Sequence, residues 1–428
     1  MPSSVTTSEG QLNRRDKFRA YMQAFNPTAP AWEAIRAGLV LENLHQYLYR
    51  NLAARADLEP GSQQLLVGGV GSGKTTELIL AGRWLNKRSQ VLPFYVDVST
   101  ETDLSSLNSG ALIAGFGRQL GRRLAEGPDA KGHTDERRQK LKDSYAKVTD
   151  YAYGKTELLL ADENDLWVED AISEGGDVPP RRHYWHEVPG KLKPPLPPLN
   201  RDIQEVRAPL EDLLFTAKEV HKDVVIIFDG LDRLLDATKF WSVVHQDLRL
   251  LRELKVSVIV TAPLSVLFGV GVGQSISDFF DRVHHLTVIP SDSASTSLES
   301  VLEKRGVTNL LDPAKAYLIC NYSGGVLRDL ISLARDAAEE TYVSDRDFIT
   351  VPDIEKVGRQ LGTGYLRGLG TEAINALLHL ESSKSFDLSQ PSNVELLLTR
   401  RVLEYSSTDF RVHPALQTVI QRPEPQRA

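Results

Sequence analysis

The sequence predicts an α/β fold: a parallel sheet covered by helices, followed by a helical region and a small mixed module at the C-terminus. Three observations predict it. Five short apolar runs alternate with helical segments, a glycine-rich pattern directly follows the first run, and the chain becomes helical in pattern after Pro290. Unbroken apolar strands separated by helices are typical of a parallel sheet buried on both faces.

The composition of the 428 residues excludes several functional classes. A net charge of −7 argues against a protein that coats nucleic acid, although a local basic face is still allowed. The single cysteine, Cys320, leaves no disulfide and no multi-cysteine metal site within one chain. The N-terminus has no apolar signal core, and no apolar run is long enough to span a bilayer. We therefore expect a cytoplasmic protein that does not contact membranes.

The order of these patterns predicts four regions. Residues 1–60 form an N-terminal helical segment, in which leucines of "AIRAGLVLENLHQYLYRNLA" lie on one stripe at helical spacing. The core follows at 61–290, a helical lid at 291–345, and a winged-helix-like module at 346–428, where a helix, short strands and a last helix are expected. The five predicted strands are 64–68, 91–98, 224–229, 256–261 and 285–289.

An insertion at about 125–205 interrupts the predicted core. It begins with a polar stretch that we expect to be solvated. It continues with seven prolines between Pro179 and Pro198. Proline at this density precludes helix and central strand, so we predict an extended arm or loop.

The segment "LLVGGVGSGKTTEL" (65–78) contains the phosphate-loop pattern G-x-x-x-x-G-K-[ST] between a predicted strand and a predicted helix. Glycines let backbone N–H groups curl around a phosphate, and the following helix N-terminus favours the negative charge. Lys74 is expected to reach the β- and γ-phosphates, and the Thr75 hydroxyl to bind Mg²⁺. The predicted nucleotide-binding residues of this loop are Gly68, Gly69, Val70, Gly71, Ser72, Gly73, Lys74, Thr75 and Thr76.

The segment "VVIIFDGLDRL" (224–234) supplies the carboxylate that a phosphate loop needs. Asp229 ends an apolar strand and is the predicted second residue of the Mg²⁺ site, with Thr75. Asp232, three residues on, is the candidate base that polarises an attacking water. Motor-type ATPases carry a glutamate directly after the first aspartate, whereas this chain has Gly230. As alternatives, either aspartate caps the next helix.

These two segments resemble the additional-strand (ASCE) P-loop ATPases, specifically the AAA+ and STAND/NACHT-like group. The D-G-L-D spelling resembles the STAND and KAP type more than the D-E of AAA+ motors. The resemblance covers about residues 40–345. It implies an ATPase core with a helical lid, and it makes ATP with Mg²⁺ the expected ligands. The chain lacks the N-K-x-D sequence that reads guanine, which also favours ATP over GTP.

The resemblance implies roles for three more residues. Thr261, at the end of "VSVIVT", stands where such ATPases sense the γ-phosphate; alternatively it only finishes a strand. Arg282 stands where AAA+ proteins carry an arginine finger that reaches a neighbour's nucleotide; alternatively it pairs with Asp278 or Asp281. Arg328, in "GGVLRDL", matches the lid arginine of origin-recognition-type AAA+ proteins. STAND proteins usually have G-x-P at this place, so the likeness is mixed.

Three functional hypotheses follow. The first is an ATP-dependent oligomeric switch with slow, regulated hydrolysis, forming a homo-oligomer and working with a separate effector protein; the resemblance extends this to bacterial antiviral defence. The second is a DNA-acting ATPase, such as a loader or transposition regulator, whose Lys384, Arg400 and Arg401 grip DNA; the acidic net charge disfavours it. The third is an ATP-binding scaffold with little turnover, for which Gly230 is the reason.

Overall fold

The computed structural model describes residues 13–88, 90–101, 104–105, 107–125, 133–153, 202–234, 237–268, 272–290, 295–306 and 309–420. The proline-rich part of the predicted insertion lies outside these residues. The chain divides into two units. One is continuous, His45–Leu286, and contains the phosphate loop; the other combines the residues up to Leu44 with those from Thr287 onward. We call them the P-loop unit and the helical unit.

Helices and strands of the described residues are numbered in chain order. The helices are α1 Arg14–Ala24, α2 Ala31–Arg36, α3 Leu48–Leu58, α4 Lys74–Arg88, α5 Val98–Glu101, α6 Ala111–Ala125, α7 Asp135–Tyr153, α8 Arg207–Val220, α9 Ala237–Glu253, α10 Val272–Phe279, α11 Ser295–Arg305, α12 Pro313–Ser323, α13 Leu327–Val343, α14 Val351–Leu366, α15 Thr371–Ser383, α16 Pro391–Leu398 and α17 Pro414–Gln417. The strands are β1 Gln63–Gly68, β2 Val91–Asp97, β3 Asp223–Asp229, β4 Ser257–Ala262, β5 Arg282–Leu286, β6 Val402–Ser406 and β7 Asp409–Val412. Among the described helices, none is both long and apolar enough to cross a membrane.

The P-loop unit is built on a five-stranded parallel sheet of order β2-β3-β4-β1-β5. Every residue of β1, β3 and β4 is buried, which requires cover on both faces of the sheet. Helix α4 packs against β1, β2 and β3, while α8 packs against β3 and α9 against β4. Strand β4 lies between the P-loop strand β1 and the Asp229 strand β3, so the predicted additional strand is confirmed.

The first four predicted strands agree with the structure to within one residue at each end, but the fifth is displaced. It was expected at 285–289, and it runs from Arg282 to Leu286. The apolar residues that follow belong to the helical unit, where Ile289 is buried in the main core and the Val288 N–H donates to the Glu404 carbonyl. An apolar run shared between two cores therefore resembled a single strand.

The helical stripe predicted within residues 34–53 is interrupted in the structure. Helix α2 ends at Arg36, and α3 begins only at Leu48. Gln46 and Tyr47 both have positive φ, 53° and 59°, which an α-helix does not allow. The leucine stripe serves two cores: those at 39, 41 and 44 pack in the helical unit, whereas Leu52 is buried beside the sheet.

The helical unit joins the two ends of the chain. Phe18, Tyr21 and Phe25, from α1 and its C-terminal end, are buried in one core with residues of α11 to α14. Helices α15 and α16, the β6–β7 hairpin and α17 follow in the order expected of a winged-helix-like module. The resulting fold class is the predicted one: a parallel-sheet core, a helical region and a small C-terminal module.

Helix α7 occupies part of the stretch that was expected to be a solvated insertion. Its residues Leu141, Val148 and Tyr151 are buried, and the helix packs against α6 and α8. Polar residues line the rest of α7, which hid this narrow apolar stripe in the sequence.

Asp247 on α9 provides a pH-dependent contribution to the stability of this unit. It is fully buried, and its carboxylate accepts from the Leu112 N–H (2.9 Å) and the Ile113 N–H (3.2 Å) at the start of α6. Burial raises the pKa of Asp247 to about 7, and these N–H donors offset only part of that rise. Because the folded-state pKa lies above the unfolded value, the stabilisation is complete below about pH 4 and decreases as pH rises towards 7.

We therefore expect Asp247→Asn to flatten the fall in stability between about pH 4 and 8 by up to about 4 kcal/mol. Urea unfolding of both proteins across this range measures the difference. The exposed Asp345→Asn serves as the matched control. Parallel pH profiles for the wild type and Asp247→Asn contradict the prediction.

Candidate nucleotide site

The phosphate loop lies between β1 and α4. Gly71 and Gly73 have φ of 84° and 102°, values that other residues rarely adopt, so the glycines are required by the shape of the loop. Helix α4 begins at Lys74, directly after the turn. The geometry is that of a strand, a tight loop and a helix N-terminus, which presents backbone N–H groups to an anion.

Lys74 is buried to 5% exposure at the start of this helix. Its Nζ donates to the carbonyl oxygens of Gly68 and Gly69, both at 2.9 Å. The same Nζ lies 2.8 Å from Oδ2 of Asp232, whose side chain is 14% exposed. A buried ammonium at the loop is placed to bind phosphate oxygens, and Asp232 supplies its counter-charge.

Asp229 lies at the carboxyl end of β3 and is 3% exposed. The Gly230 N–H donates to its Oδ1 and the Tyr95 hydroxyl to its Oδ2, each at 2.7 Å. The Thr75 side chain also hydrogen-bonds this carboxylate. Burial and the Asp232 charge raise the pKa of Asp229, while the bonds from Tyr95 and Thr75 act in the opposite direction. The structure thus brings together the two residues predicted to hold Mg²⁺.

Two buried hydroxyls at the same edge of the sheet have no hydrogen-bond partner among the described residues. Ser72, in the loop, is 7% exposed, and Thr261, near the carboxyl end of β4, is fully buried. A buried hydroxyl without a partner is unfavourable unless a ligand or water supplies one. Both hydroxyls fit a site that receives phosphate oxygens or an ordered water.

Gly230 has φ of 84°, in the left-handed region. A Cβ at this residue would lie 2.8 Å from Oδ1 of Asp97, 2.9 Å from Cβ of Ser99 and 3.0 Å from the Ser99 nitrogen. Asp97 is the last residue of β2 and stands in register with Asp229 on the neighbouring strand. The glycine that departs from the motor-type motif is therefore required by its surroundings.

Tyr95 and Asp97 are two residues of this site that the local sequence patterns do not identify. Both lie in "VLPFYVDV", more than a hundred residues before Asp229, and only the pairing of β2 with β3 brings them to the site. Burial raises the pKa of Tyr95 well above its usual value, and the Asp229 and Asp97 charges add to the rise, so its hydroxyl remains a hydrogen-bond donor. A strand ending in aspartate was the available signal, since parallel strands end at one edge of a sheet.

The segment before β1 also supports the loop and was not identified from the sequence. The His45 ring hydrogen-bonds the backbone of Ser72, and burial lowers the pKa of His45 to about 4, so the imidazole is neutral at neutral pH. Glu77, buried on α4, accepts from the Tyr49 N–H at 2.8 Å. These contacts fix the start of α3 against the P-loop helix.

Arg282 is exposed and is the first residue of β5. In the parallel register it pairs with Gln64, at the amino end of β1, about 13 Å along the strand from the loop. The ion pair with Asp278 or Asp281 that was considered as an alternative is not formed among the described residues; Arg252 instead contacts the Asp281 carboxylate at 3.4 Å. Arg282 thus lies at the amino edge of the sheet, opposite the carboxyl edge that carries the phosphate loop.

Arg328 is exposed in the first turn of α13, in the helical unit. Its neighbour Asp329 is 4% exposed and accepts from the Tyr365 hydroxyl (2.6 Å), Arg400 Nη1 (2.9 Å) and His413 Nε2 (3.3 Å). Burial alone would raise the pKa of Asp329, but these partners hold it below its usual value. The network ties the helix that carries Arg328 to the ends of α14, β6 and β7.

The two arginines expected to bind DNA make contacts within the helical unit. Arg400 pairs with Asp329, and Arg401 donates to the carbonyl oxygens of Tyr365 (2.9 Å) and Arg367 (2.8 Å). Both guanidinium groups therefore stabilise the module itself.

Comparison with known proteins gives structural neighbours at low sequence identity. The ORC2 protein of Aeropyrum pernix, solved as ADPNP and ADP complexes, is 14% identical, with 87% of this chain and 92% of that chain covered and a TM-score of 0.42. Cdc6p of Pyrobaculum aerophilum is 12% identical, with coverages of 93% and 95% and a TM-score of 0.43. The RuvB Holliday junction branch migration motor of Thermotoga maritima is 13% identical, with coverages of 87% and 92% and a TM-score of 0.38. No protein-family model and no curated protein sequence matches the chain.

We expect Gly230→Ala to destabilise the protein by at least about 2 kcal/mol, because a Cβ meets the left-handed strain and the contacts to Asp97 and Ser99. Denaturant unfolding measures the loss. Gly364→Ala is the control: it lies in α14, its added Cβ meets nothing within 4 Å, and helix propensity predicts a small gain. Equal stability of Gly230→Ala and wild type would show that the turn is not constrained.

Proposed function

We propose that this chain binds and hydrolyses ATP and acts as an oligomeric molecular switch. We base this on one observation: Lys74, Thr75 and Asp229 meet at the carboxyl edge of the sheet, with Lys74 Nζ held 2.9 Å from two loop carbonyls and Thr75 hydrogen-bonded to Asp229. An ammonium, a hydroxyl and a carboxylate at a helix N-terminus form the chemical set that a magnesium–triphosphate requires.

Each residue has a defined task in this proposal. The loop N–H groups and Lys74 bind the phosphates, and Thr75 with Asp229 holds Mg²⁺, directly or through its waters. Bound Mg²⁺ would neutralise charge on the phosphates. The described residues contain no cluster of three metal-ligating acidic, histidine or cysteine side chains. This agrees with Mg²⁺, which usually takes one or two protein ligands and keeps phosphate and water as the others.

A switch is favoured over a motor by the position of two residues. A glutamate, which motor-type enzymes have at this position, does not fit in place of Gly230, and its absence favours slow hydrolysis. Arg282 is exposed and too far along the sheet to reach its own loop, so an arginine-finger role requires a second copy of the chain. We propose Thr261 as the γ-phosphate sensor, because its buried hydroxyl has no partner among the described residues. Arg328 is proposed to sense the nucleotide from the lid.

The effector is proposed to be a separate protein. A role in antiviral defence is supported only by the resemblance to the STAND group. DNA binding is not favoured, because Arg400 and Arg401 are engaged inside the helical unit.

The test combines nucleotide binding, phosphate release and size. We expect Mg²⁺-dependent binding of ATP in preference to GTP, slow phosphate release, and a larger assembly with ATP than with ADP, measured by titration calorimetry, a phosphate sensor and light scattering. Binding of neither nucleotide overturns the P-loop assignment. Binding without release leaves the scaffold hypothesis, and release that duplex DNA stimulates in a salt-sensitive way supports the DNA-acting one.

A further inference from the structure

We propose that Asp97 polarises the attacking water, in place of the glutamate that Gly230 cannot provide. This inference rests on the proposed ATP hydrolysis and adds a catalytic residue to that site. Sequence reasoning assigned the role to Asp232, the only acid near Asp229 along the chain.

The space next to Gly230 is already filled by Asp97. A Cβ on Gly230 would lie 2.8 Å from Asp97 Oδ1, so a side chain there and this carboxylate exclude each other. Motor-type sequences have an acid directly after Asp229, and this chain has Gly230 there. The Asp97 carboxylate, from the neighbouring strand, lies beside the Gly230 backbone. Asp97, at the end of β2, therefore supplies a carboxylate next to the residue where motor-type sequences have their glutamate.

The carboxylate of Asp97 is held in a fixed position at the edge of the sheet. Its Oδ1 accepts from the Ser99 N–H at 3.1 Å and the Ser99 hydroxyl at 2.6 Å, and Arg233 Nη1 donates to that hydroxyl at 2.9 Å. In-register pairing places Asp97 at the same level as Asp229. Burial and, after it, the charges of Asp229, Asp97 and Asp232 raise the pKa of the Tyr95 hydroxyl, which donates to Asp229 Oδ2 at 2.7 Å.

Asp232 has another task. Its Oδ2 contacts the Lys74 ammonium at 2.8 Å, and its side chain is only 14% exposed. We assign it as a positioning residue that orients Lys74 for the phosphates. The unpartnered buried hydroxyl of Thr261, on the strand between β3 and β1, is a second polar group that can hold a water at this edge.

The reaction balances as a hydrolysis. The water oxygen forms a bond to the γ-phosphorus, and the bond from that phosphorus to the β–γ bridging oxygen breaks, with its electron pair leaving on ADP. A water proton passes to the Asp97 carboxylate, which later releases it to solvent. The products are ADP and inorganic phosphate.

The test is Asp97→Asn in the full chain. Asparagine caps a helix as well as aspartate does, so a purely structural role as the cap of α5 predicts no change. We expect ATP affinity within about twofold of wild type, a loss of at least about 100-fold in single-turnover phosphate release, and partial rescue by Asp97→Glu. A second readout does not depend on turnover: Asp97→Asn should trap ADP–beryllium fluoride normally but lose tight trapping of ADP–aluminium fluoride, which mimics the state with water attacking.

Asp232→Asn and Asp312→Asn complete the experiment. Asp232→Asn should weaken ATP binding, because Lys74 loses its counter-charge, and Asp312→Asn, the same change at the N-cap of α12, should alter neither property. The proposal is overturned if Asp97→Asn releases phosphate at the wild-type rate while Asp232→Asn releases none at saturating ATP. A wild type that binds ATP but releases no phosphate overturns both this inference and the proposed hydrolysis, whereas loss in Asp97→Asn alone leaves both standing.

Discussion

Replacing Lys74 by alanine is expected to weaken ATP binding by at least about 100-fold, equivalent to about 3 kcal/mol, the usual effect of truncating one partner of a buried charge pair. Lys74 is 5% exposed, and its Nζ stands beside Gly68, Gly69 and Asp232. Alanine keeps the helix but removes the ammonium that contacts the loop carbonyls. Titration calorimetry with ATP and Mg²⁺ measures the loss.

The matched control lies on the same helix. Lys87→Ala, in the exposed last turn of α4, changes the same residue type outside the site and should leave ATP affinity unchanged. Thermal unfolding of both variants shows whether the P-loop unit is intact, because Asp232 loses its partner in Lys74→Ala. Normal ATP binding by folded Lys74→Ala would remove the basis of the nucleotide site.

Arg282→Ala is expected to lower the rate of phosphate release by about 1000-fold or more while leaving ATP affinity nearly unchanged, which is the effect of removing an arginine finger. In the proposed function the finger acts on a neighbouring chain, since Arg282 pairs with Gln64 at the end of the sheet away from the loop. Single-turnover phosphate release and ATP titration separate the two quantities. Arg249→Ala, an exposed arginine on α9, is the control.

Mixing two inactive proteins tests the action between chains directly. Arg282→Ala has an intact loop and Lys74→Ala an intact Arg282, so mixed assemblies contain complete sites at some interfaces. We expect activity to return on mixing and to depend on protein concentration. Full activity of Arg282→Ala alone, or no recovery in assemblies shown by light scattering to be mixed, contradicts a finger in trans.

Local sequence patterns predicted the parts of the site that depend on neighbouring residues. The loop, Lys74 and Thr75 follow from one strand–loop–helix segment, and Asp229 follows from the end of one apolar run. The additional strand was predicted through the resemblance, and the sheet order confirms it. The loop and the strand-end aspartate require no long-range information, because each lies within one short segment of the chain.

Features that depend on pairing between distant segments were not predicted. Asp97 meets Gly230 only through the β2–β3 register, and Arg400 meets Asp329 only through the packing of the C-terminal module. The leucine stripe from Leu39 to Leu52 and the apolar run 285–289 were each assigned to one element, although each crosses from one core to the other. Hydrophobic periodicity predicts that a side chain is buried, but it does not predict which of two cores contains that side chain.

The helical unit contains residues from both ends of the chain, and the P-loop unit is the continuous segment between them. The chain enters the P-loop unit at Leu44–His45 and leaves it at Leu286–Thr287, so two covalent connections join the two units. Synthesis through Leu286 therefore completes the sequence of the P-loop unit. The core of the helical unit is incomplete at that point, because Phe18 and Tyr21 pack with residues that follow Thr287.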